Sequence, residues 1–336
     1  MRAIVITSAG SYDCLQVQER PEPRCAAGQV RIDVKAAGVN FADLMARMGL
    51  YPDAPPLPAV VGYEVSGTVA EIGAGVEGVA VGDRVMAGTQ FGGYAEQVVV
   101  PAADVVPLPD ALSFEQGAAI PVNYATAWAG LVGYGSLRAG DRVLIHAAAG
   151  GVGIAATQIA RRHGAEVWGT ASPGKHEAIR GFGVQHPLDY TRKGWDKGPP
   201  ALPPFDLIMD AIGGESLRRS YRMLRAGGRV VAFGASSVVT GDRKNLLTAA
   251  PQALRMVRGF NLMDQMGDSK TVIGLNMLTL WKDRGTLEPW VTPLLDLMAD
   301  GTIAPVVSDA VPFANAGEAH RILTERRNIG KVVLVP

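Results

Sequence analysis

The run His146-Ala147-Ala148-Ala149-Gly150-Gly151-Val152-Gly153-Ile154-Ala155-Ala156 constrains this chain more than any other segment. It contains the pattern G-x-G-x-x-A, with Gly151, Gly153 and Ala156 at the three small positions. The apolar stretch Arg142-Val143-Leu144-Ile145-His146 in front of it reads as a short buried strand, and Gly153 to His163 behind it as an amphipathic helix. Strand, glycine turn and helix in that order are the context in which this pattern binds a dinucleotide. The first small residue permits the turn, the second lets backbone approach a pyrophosphate, and the third lets helix pack closely on strand. Free N–H groups and the positive dipole end of the helix then face the phosphates through Ala149, Gly150, Gly151, Val152 and Gly153. The competing reading is a glycine-rich structural turn.

The surrounding pattern supports a parallel sheet. From about residue 122, strand-like and helix-like runs alternate: helix Tyr124 to Leu131, strand Glu166 to Thr170, helix Lys175 to Arg180, strand Phe205 to Asp210, helix Ser216 to Arg225, strand Arg229 to Phe233. Such alternation implies right-handed βαβ units. Thr271 to Met277 could add another strand. Residues 1–121 read differently. Gln29 to Val34 alternates polar and apolar, Val60 to Val69, Asp83 to Met86 and Tyr94 to Val100 are short strands, and helix is confined mainly to Ala42 to Met48, so a compact barrel-like domain is expected. After a helix at Pro289 to Ala299 the tail returns to strand, helix, strand, at Ala304 to Val307, Ala314 to Thr324 and Lys331 to Val335. The fold class expected is therefore α/β, with domains at 1–121, 122–280 and 281–336. Arg192 to Pro204 reads as a Pro-rich surface loop, and Val238 to Lys270 as either a lid or a helical excursion packed on the protein's own surface.

Composition excludes other classes. Lys plus Arg (32) balance Asp plus Glu (32), so the basic excess of a nucleic-acid binder is missing. The two cysteines, Cys14 and Cys25, cannot build a disulfide scaffold or a four-cysteine zinc lobe. The most apolar stretch, Ala147 to Ala156, is too short to span a bilayer, and Met1 runs almost directly into the strand-like Ala3 to Ile6. A cytoplasmic protein with no membrane span and no nucleic-acid partner is expected.

The end of the second parallel strand chooses the cofactor. Trp168-Gly169-Thr170-Ala171-Ser172 offers no acid to clamp a ribose 2′-hydroxyl. Lys175 follows, able to meet a 2′-phosphate with the Ser172 hydroxyl beside it, which favours NADPH. A solvated first-turn lysine is the alternative for Lys175.

Further motifs carry a family resemblance. Asn40-Phe41-Ala42-Asp43, Gly62-Tyr63-Glu64-Val65-Ser66-Gly67, Gly92-Gly93-Tyr94-Ala95-Glu96 and the glycine turn occur in this order. The chain resembles the zinc-independent quinone oxidoreductases of the medium-chain dehydrogenase/reductase superfamily. Thr170-Ala171-Ser172, Lys175-His176-Glu177, Val239-Thr240-Gly241, Asn245-Leu246-Leu247 and the ending Asn328 to Pro336 resemble its branch named for a synaptic vesicle membrane protein. The resemblance covers essentially the whole chain. It implies a GroES-like substrate domain interrupted by a Rossmann domain, the tail rejoining the first domain, and a homodimer formed through the strand around Thr271 to Met277.

Zinc-dependent relatives carry a cysteine where this chain has Asn40 and a histidine where it has Tyr63, neither of them a usual zinc ligand here. The five histidines, His146, His163, His176, His186 and His320, form no metal-spaced pair and read as surface or capping residues. Metal-free hydride transfer suits quinones and α,β-unsaturated carbonyls, which move electron density onto oxygen without strong polarisation. The resemblance places Asn40 near the nicotinamide ribose and substrate, Tyr51 at the substrate cleft as wall or proton donor, and Thr126 on the interdomain helix facing the cofactor. It places Gly169 and Thr170 along the cofactor-side strand, Tyr190 near the adenosine phosphate, Phe233 and Gly234 along the nicotinamide half, and Asn328 and Lys331 on the returning tail. Two other functions stay open: an enoyl reductase acting on a carrier-bound thioester, and a low-turnover NADPH-binding protein of membrane-associated or crystallin-like type.

Overall fold

The computed structural model describes residues 1–197, 202–239, 241–257 and 260–336. Part of the Pro-rich loop (198–201) and residues 240, 258 and 259 of the long connection, Thr240 of the quoted motif among them, lie outside the described residues. Two sheets organise the chain. One is six-stranded and wholly parallel, in the spatial order His186–Asp189, Glu166–Ala171, Arg142–Ile145, Phe205–Asp210, Leu224–Ala232, Thr271–Gly274. Numbered along the chain, this is the order 3-2-1-4-5-6 of a doubly wound dinucleotide fold, and its switch point lies between Arg142–Ile145 and Phe205–Asp210. Both strands are apolar and buried, as strands covered on two faces must be.

The second sheet is seven-stranded, and its spine is Gln29–Val39. That strand pairs antiparallel with Glu64–Ile72 along its length, with Gln97–Pro101 through its first half and with Lys331–Val335 through its last residues. Val307–Pro312 continues the sheet beyond Lys331–Val335, so the C-terminal tail is built into the first sheet. Its strand starts later than the sequence suggested. Ala304 to Val307 is mostly irregular, whereas Ser308, Asp309 and Pro312 gave a weak apolar signal in a segment that pairs on one side only. The boundary drawn at 280/281 falls inside the helix Met277–Arg284, and that at 121/122 inside Pro121–Trp128. The strand Thr271–Gly274 is shorter than Thr271 to Met277, because Asn276 caps the next helix through its side-chain oxygen.

Two large apolar clusters follow the two sheets. Ile4, Ile32, Leu44, Val65, Phe313 and Leu334 lie in one, and Ile145, Ile159, Val167, Met209, Trp281 and Trp290 in the other. Helix Pro121–Trp128 packs on the glycine-turn helix Gly151–Arg162, where the Tyr124 hydroxyl donates to Gln158 Oε1 at 2.6 Å. Among the described residues no helix is long and apolar enough to cross a membrane. The long connection holds two helices, Leu246–Val257 and Leu262–Asp268.

One glycine controls how the spine strand meets its neighbours. A Cβ on Gly38 would stand 2.4 Å from the Ala118 carbonyl oxygen and 2.6 Å from Glu64 Oε1, so no side chain fits there. We expect Gly38→Ala to cost about 1–3 kcal/mol through overpacking, read as a lower urea midpoint by tryptophan fluorescence. An unchanged midpoint would mean that the spine can shift at no cost.

Candidate functional site

A cavity of about 450 Å³ opens at the carboxyl ends of the parallel strands, at the switch point. All of the residues expected at the site line it except Tyr51 and Gly169. Asn40, Thr126, Ala149, Gly150, Gly151, Val152, Gly153, Thr170, Ser172, Lys175, Tyr190, Phe233, Gly234, Asn328 and Lys331 are thus brought together from both sheets. Gly169 packs inward instead, where a Cβ would meet Ala148 Cβ at 2.8 Å and Val184 at 2.9 Å. Tyr51 is half-buried, edge-on to Tyr63 with ring centroids 6.3 Å apart, and Tyr63 in turn packs on Phe91. Burial pushes both phenols above their ordinary pKa, Tyr63 furthest.

The glycine turn divides its labour differently from the simple pattern. Helix Gly151–Arg162 begins with Gly150 as its cap, and Ala147 takes a left-handed φ of 53° to make the turn. A Cβ on Gly153 would stand 2.3 Å from the Ala147 carbonyl oxygen, and one on Gly151 2.5 Å from Asn123 Nδ2. These two glycines therefore serve packing. Gly150, with nothing nearer than 3.4 Å, leaves the turn open to the cavity, and the first helix amides follow it.

At one end of the cavity the returning tail is stitched to this turn. Gly330 N–H donates to the Ala149 carbonyl at 2.8 Å, and Asn328 Nδ2 donates to the Gly330 carbonyl at 2.7 Å. Lys175 Nζ donates to the carbonyls of Arg326 and Asn328, both at 2.6 Å, so it is a tether as well as a cation. Burial, and then the charge of Arg326, hold its ammonium below the usual lysine range. Arg326 also lines the cavity, at a left-handed φ of 56°. Its position depends on a turn at the far end of the chain, and sequence spacing gave no sign of it.

The other end carries a buried polar network. Lys331 Nζ donates to Glu64 Oε1 at 2.5 Å, Asn40 Oδ1 at 2.7 Å and Asn123 Oδ1 at 3.5 Å. Asn40 Nδ2 donates to Glu64 Oε1 at 3.0 Å, and Val122 N–H to Glu64 Oε2 at 2.7 Å. The amide of Asn40 is thereby fixed, oxygen toward the ammonium and nitrogen toward the carboxylate. Asn40 also starts the helix Phe41–Arg47, where its N–H donates to Asp43 Oδ2 at 2.8 Å. Burial pushes Asp43 up to about 7 against donors from Asn40, Tyr94 and Gly62. Thr126 donates to the Val122 carbonyl at 2.6 Å, leaving its oxygen free to accept from the cavity.

The floor is a second network. His146 Nε2 lies 3.0 Å from Ser220 Oγ, and Ser220 Oγ donates to Asp210 Oδ2 at 2.7 Å. The serine proton being used, Nε2 carries the imidazole hydrogen and Nδ1 accepts from Thr170 Oγ1 at 3.2 Å. Burial pushes His146 below the ordinary histidine value, and His320 down to about 3. His146 and His320, expected at the surface or at caps, are core residues (3% and 0% exposed); both ring nitrogens of His146 meet hydroxyl groups from distant segments, whereas His320 has the Tyr94 hydroxyl 3.4 Å from Nε2 and a buried Nδ1 without a partner among the described residues. Trp195 and Arg219 extend this wall, the guanidinium 5.6 Å over the indole and paired with Asp196 at 3.3 Å. Neither was anticipated. Among the described residues no three His, Cys, Asp or Glu side chains converge as a metal site would need.

Comparison with known proteins agrees with this architecture. Residues 26–110 match the alcohol dehydrogenase GroES-like domain, and residues 182–334 the zinc-binding dehydrogenase family. The rat synaptic vesicle membrane protein VAT-1 homolog is 39% identical over 341 residues, spanning 100% of this chain and 84% of the relative. Mycobacterial Rv1454c, solved in complex with NADPH, superposes with a TM-score of 0.85 at 29% identity, with 100% of both chains covered. The quinone oxidoreductase of Pseudomonas syringae pv. Tomato DC3000 gives 0.82 at 29% identity, covering 100% of this chain and 99% of that one.

The buried pair Lys331–Glu64 yields a stability test, because deleting one partner strands a charge. We expect Lys331→Met to cost about 3–5 kcal/mol in urea unfolding, and Lys331→Met with Glu64→Gln to recover most of that loss. Equal losses in the single and double variants would contradict a closed ion pair. With a GroES-like sheet, a parallel sheet wound 3-2-1-4-5-6 and full-length relatives on both counts, the chain belongs to the medium-chain dehydrogenase/reductase superfamily, alongside the VAT-1 homologues.

Proposed function

We propose that the protein is an NADPH-dependent oxidoreductase that transfers hydride to quinones or α,β-unsaturated carbonyls without a metal. The observation that carries this reading is one cavity joining an open helix N-terminus, a cationic end without a ribose-clamping acid, and a polar end fixed by Asn40 and Lys331. The amides following Gly150 would hold the pyrophosphate. Lys175, Arg326 and the Ser172 hydroxyl would meet the 2′-phosphate, the first two as charge-assisted donors. Bound there, NADPH supplies the hydride. Asn40, Thr126 and Lys331 would orient the nicotinamide end, and Phe233 and Gly234 would flank it.

Residues 122–280 would then form the cofactor unit, and residues 1–121 with 281–336 the substrate unit. NADPH-bound Rv1454c and the quinone oxidoreductase among the structural relatives support cofactor and substrate class respectively. Asn40 and Tyr63 at the positions of lost zinc ligands support metal-free chemistry. Among the described residues the strand Thr271–Gly274 has no strand on its outer side in the parallel sheet, and we place the homodimer contact there, with the protein in the cytoplasm.

Cofactor choice tests the cationic end. NADPH should bind more tightly than NADH, and Lys175→Ala should narrow the gap by about tenfold or more, as loss of a charge-assisted phosphate contact does. Equal dissociation constants in the unmutated protein would overturn the assignment. Substrate class is read from NADPH oxidation at 340 nm with a quinone, an enal and an enoyl thioester. Turnover of the first two is expected, whereas turnover of the thioester alone would favour a carrier-linked enoyl reductase. Because Tyr51 is absent from the cavity wall, Tyr51→Phe should cost less than about threefold with quinone and enal alike; a loss of about 100-fold confined to enals would restore it as proton donor.

A further inference from the structure

After the strand Leu224–Ala232 the chain passes Ser236 and Val239, both of which line the cavity, and enters the helix Leu246–Val257. Residues 236–239 and 241–257 form a strap seated on both halves of the molecule. On the parallel-sheet side it lies against Gly213 and Gly214, where a Cβ would stand 2.9 Å from Met256 Sδ and 2.3 Å from Gln252 Oε1. On the other side Val238, Val239 and Ala249 pack with Met48, beside Phe41 and Met45 of the helix that Asn40 begins and Leu50 just after it.

Beside this apolar contact stands Arg47, the last residue of that helix and wholly buried. Its Nη1 donates to the carbonyl oxygens of Gly10 and Asp242, the latter at 2.7 Å, and its guanidinium lies 4.5 Å over the Tyr12 ring. Nε and Nη2 are buried without a hydrogen-bond partner, and among the described residues no carboxylate pairs with it. A buried cation held mainly by main-chain carbonyls is an expensive way to pack a helix end. A leucine or methionine would fill the same volume without that cost. What the guanidinium adds is a grip on the strap's backbone at Asp242, with the Asp242 carboxylate acting on it only through its charge at longer range.

We propose that Arg47 is a positioning residue that pins the strap through the Asp242 carbonyl and so holds Val239 in the cavity wall. The wall it sets lies at the Phe233–Gly234 end, where the substrate would sit beside the nicotinamide, so the kinetic part of the inference rests on the function proposed above. Arg47 does not line the cavity. Its effect should fall on substrate binding and on strap order, leaving the cofactor's phosphate contacts alone.

The test uses the full chain with Arg47→Met, which keeps the stem and removes the donors, and Arg47→Lys, which returns one cationic donor. Arg243 and Lys244 are exposed on the strap, so trypsin reports its opening directly and without cofactor. In Arg47→Met, cleavage after Arg243 and Lys244 should accelerate about tenfold and KM for a quinone should rise about tenfold, with kcat and the NADPH dissociation constant within about twofold. Arg47→Lys should recover part of both effects. Unchanged cleavage and unchanged KM in Arg47→Met would overturn the proposal, as would a loss of thermal stability with neither effect, which is what a purely structural role gives. If Arg47→Met does not fold, Met45→Ala loosens the same contact from its apolar side, and the same two readouts decide. Absence of NADPH binding in the unmutated protein would instead defeat the proposed function, leaving the tryptic comparison to judge the strap.

Discussion

The ion pair between Lys331 and Glu64 is the joint on which both halves of the molecule close. Glu64 belongs to a strand beside the spine, Lys331 opens the returning C-terminal strand, and 267 positions separate them. Through Glu64 Oε2 the pair also accepts from the Val122 amide in the first turn of the helix Pro121–Trp128, and through Lys331 it fixes the amide of Asn40. One desolvated charge pair therefore sets the relative positions of the spine sheet, the interdomain helix and the cavity's polar end. Such a pair contributes little net stability against an apolar replacement, but it tolerates few alternative geometries. Gly38 beneath it, with no room for a methyl group, makes the same demand sterically.

From that joint the cavity follows as a consequence of topology. A sheet wound 3-2-1-4-5-6 opens a crevice between its first and fourth strands, and the glycine turn places in it a helix end with no side-chain cap. The tail, held by Lys331 on one side and by Lys175 on the other, closes the crevice from above. The floor is rigid because His146, Thr170, Asp210 and Ser220 satisfy one another across three strands and a helix. The strap at 236–239 and 241–257 completes the wall through Ser236 and Val239.

Local rules made the parallel half legible. Apolar runs such as Val143 to Ile145 and Phe205 to Asp210 could only be buried strands, and the glycine turn announced what they present. The site residues read from the turn and from family motifs nearly all line one cavity, because those motifs lie at strand ends. What stayed hidden depends on contacts made far along the chain. Ser308 and Asp309 read as loop because their strand pairs on one side only. His146 read as peripheral because its partners at 170, 210 and 220 are invisible to spacing. Glu64 sat inside a quoted motif without a role, since its partner lies at the other end of the sequence. How Gly150, Gly151 and Gly153 divide packing from openness stayed hidden because a pattern counts small residues and cannot say which of them faces a neighbour.

Hydride transfer is the central claim, and isotope transfer tests it most directly. The protein would be incubated with NADPH carrying deuterium at the transferable C4 position and with an α,β-unsaturated aldehyde, and the product examined by NMR. Deuterium at the β-carbon of the saturated product, in one-to-one ratio with NADPH oxidised, is the result this account predicts. NADPH oxidation with no deuterium in the product, the label appearing in water or peroxide instead, would contradict it.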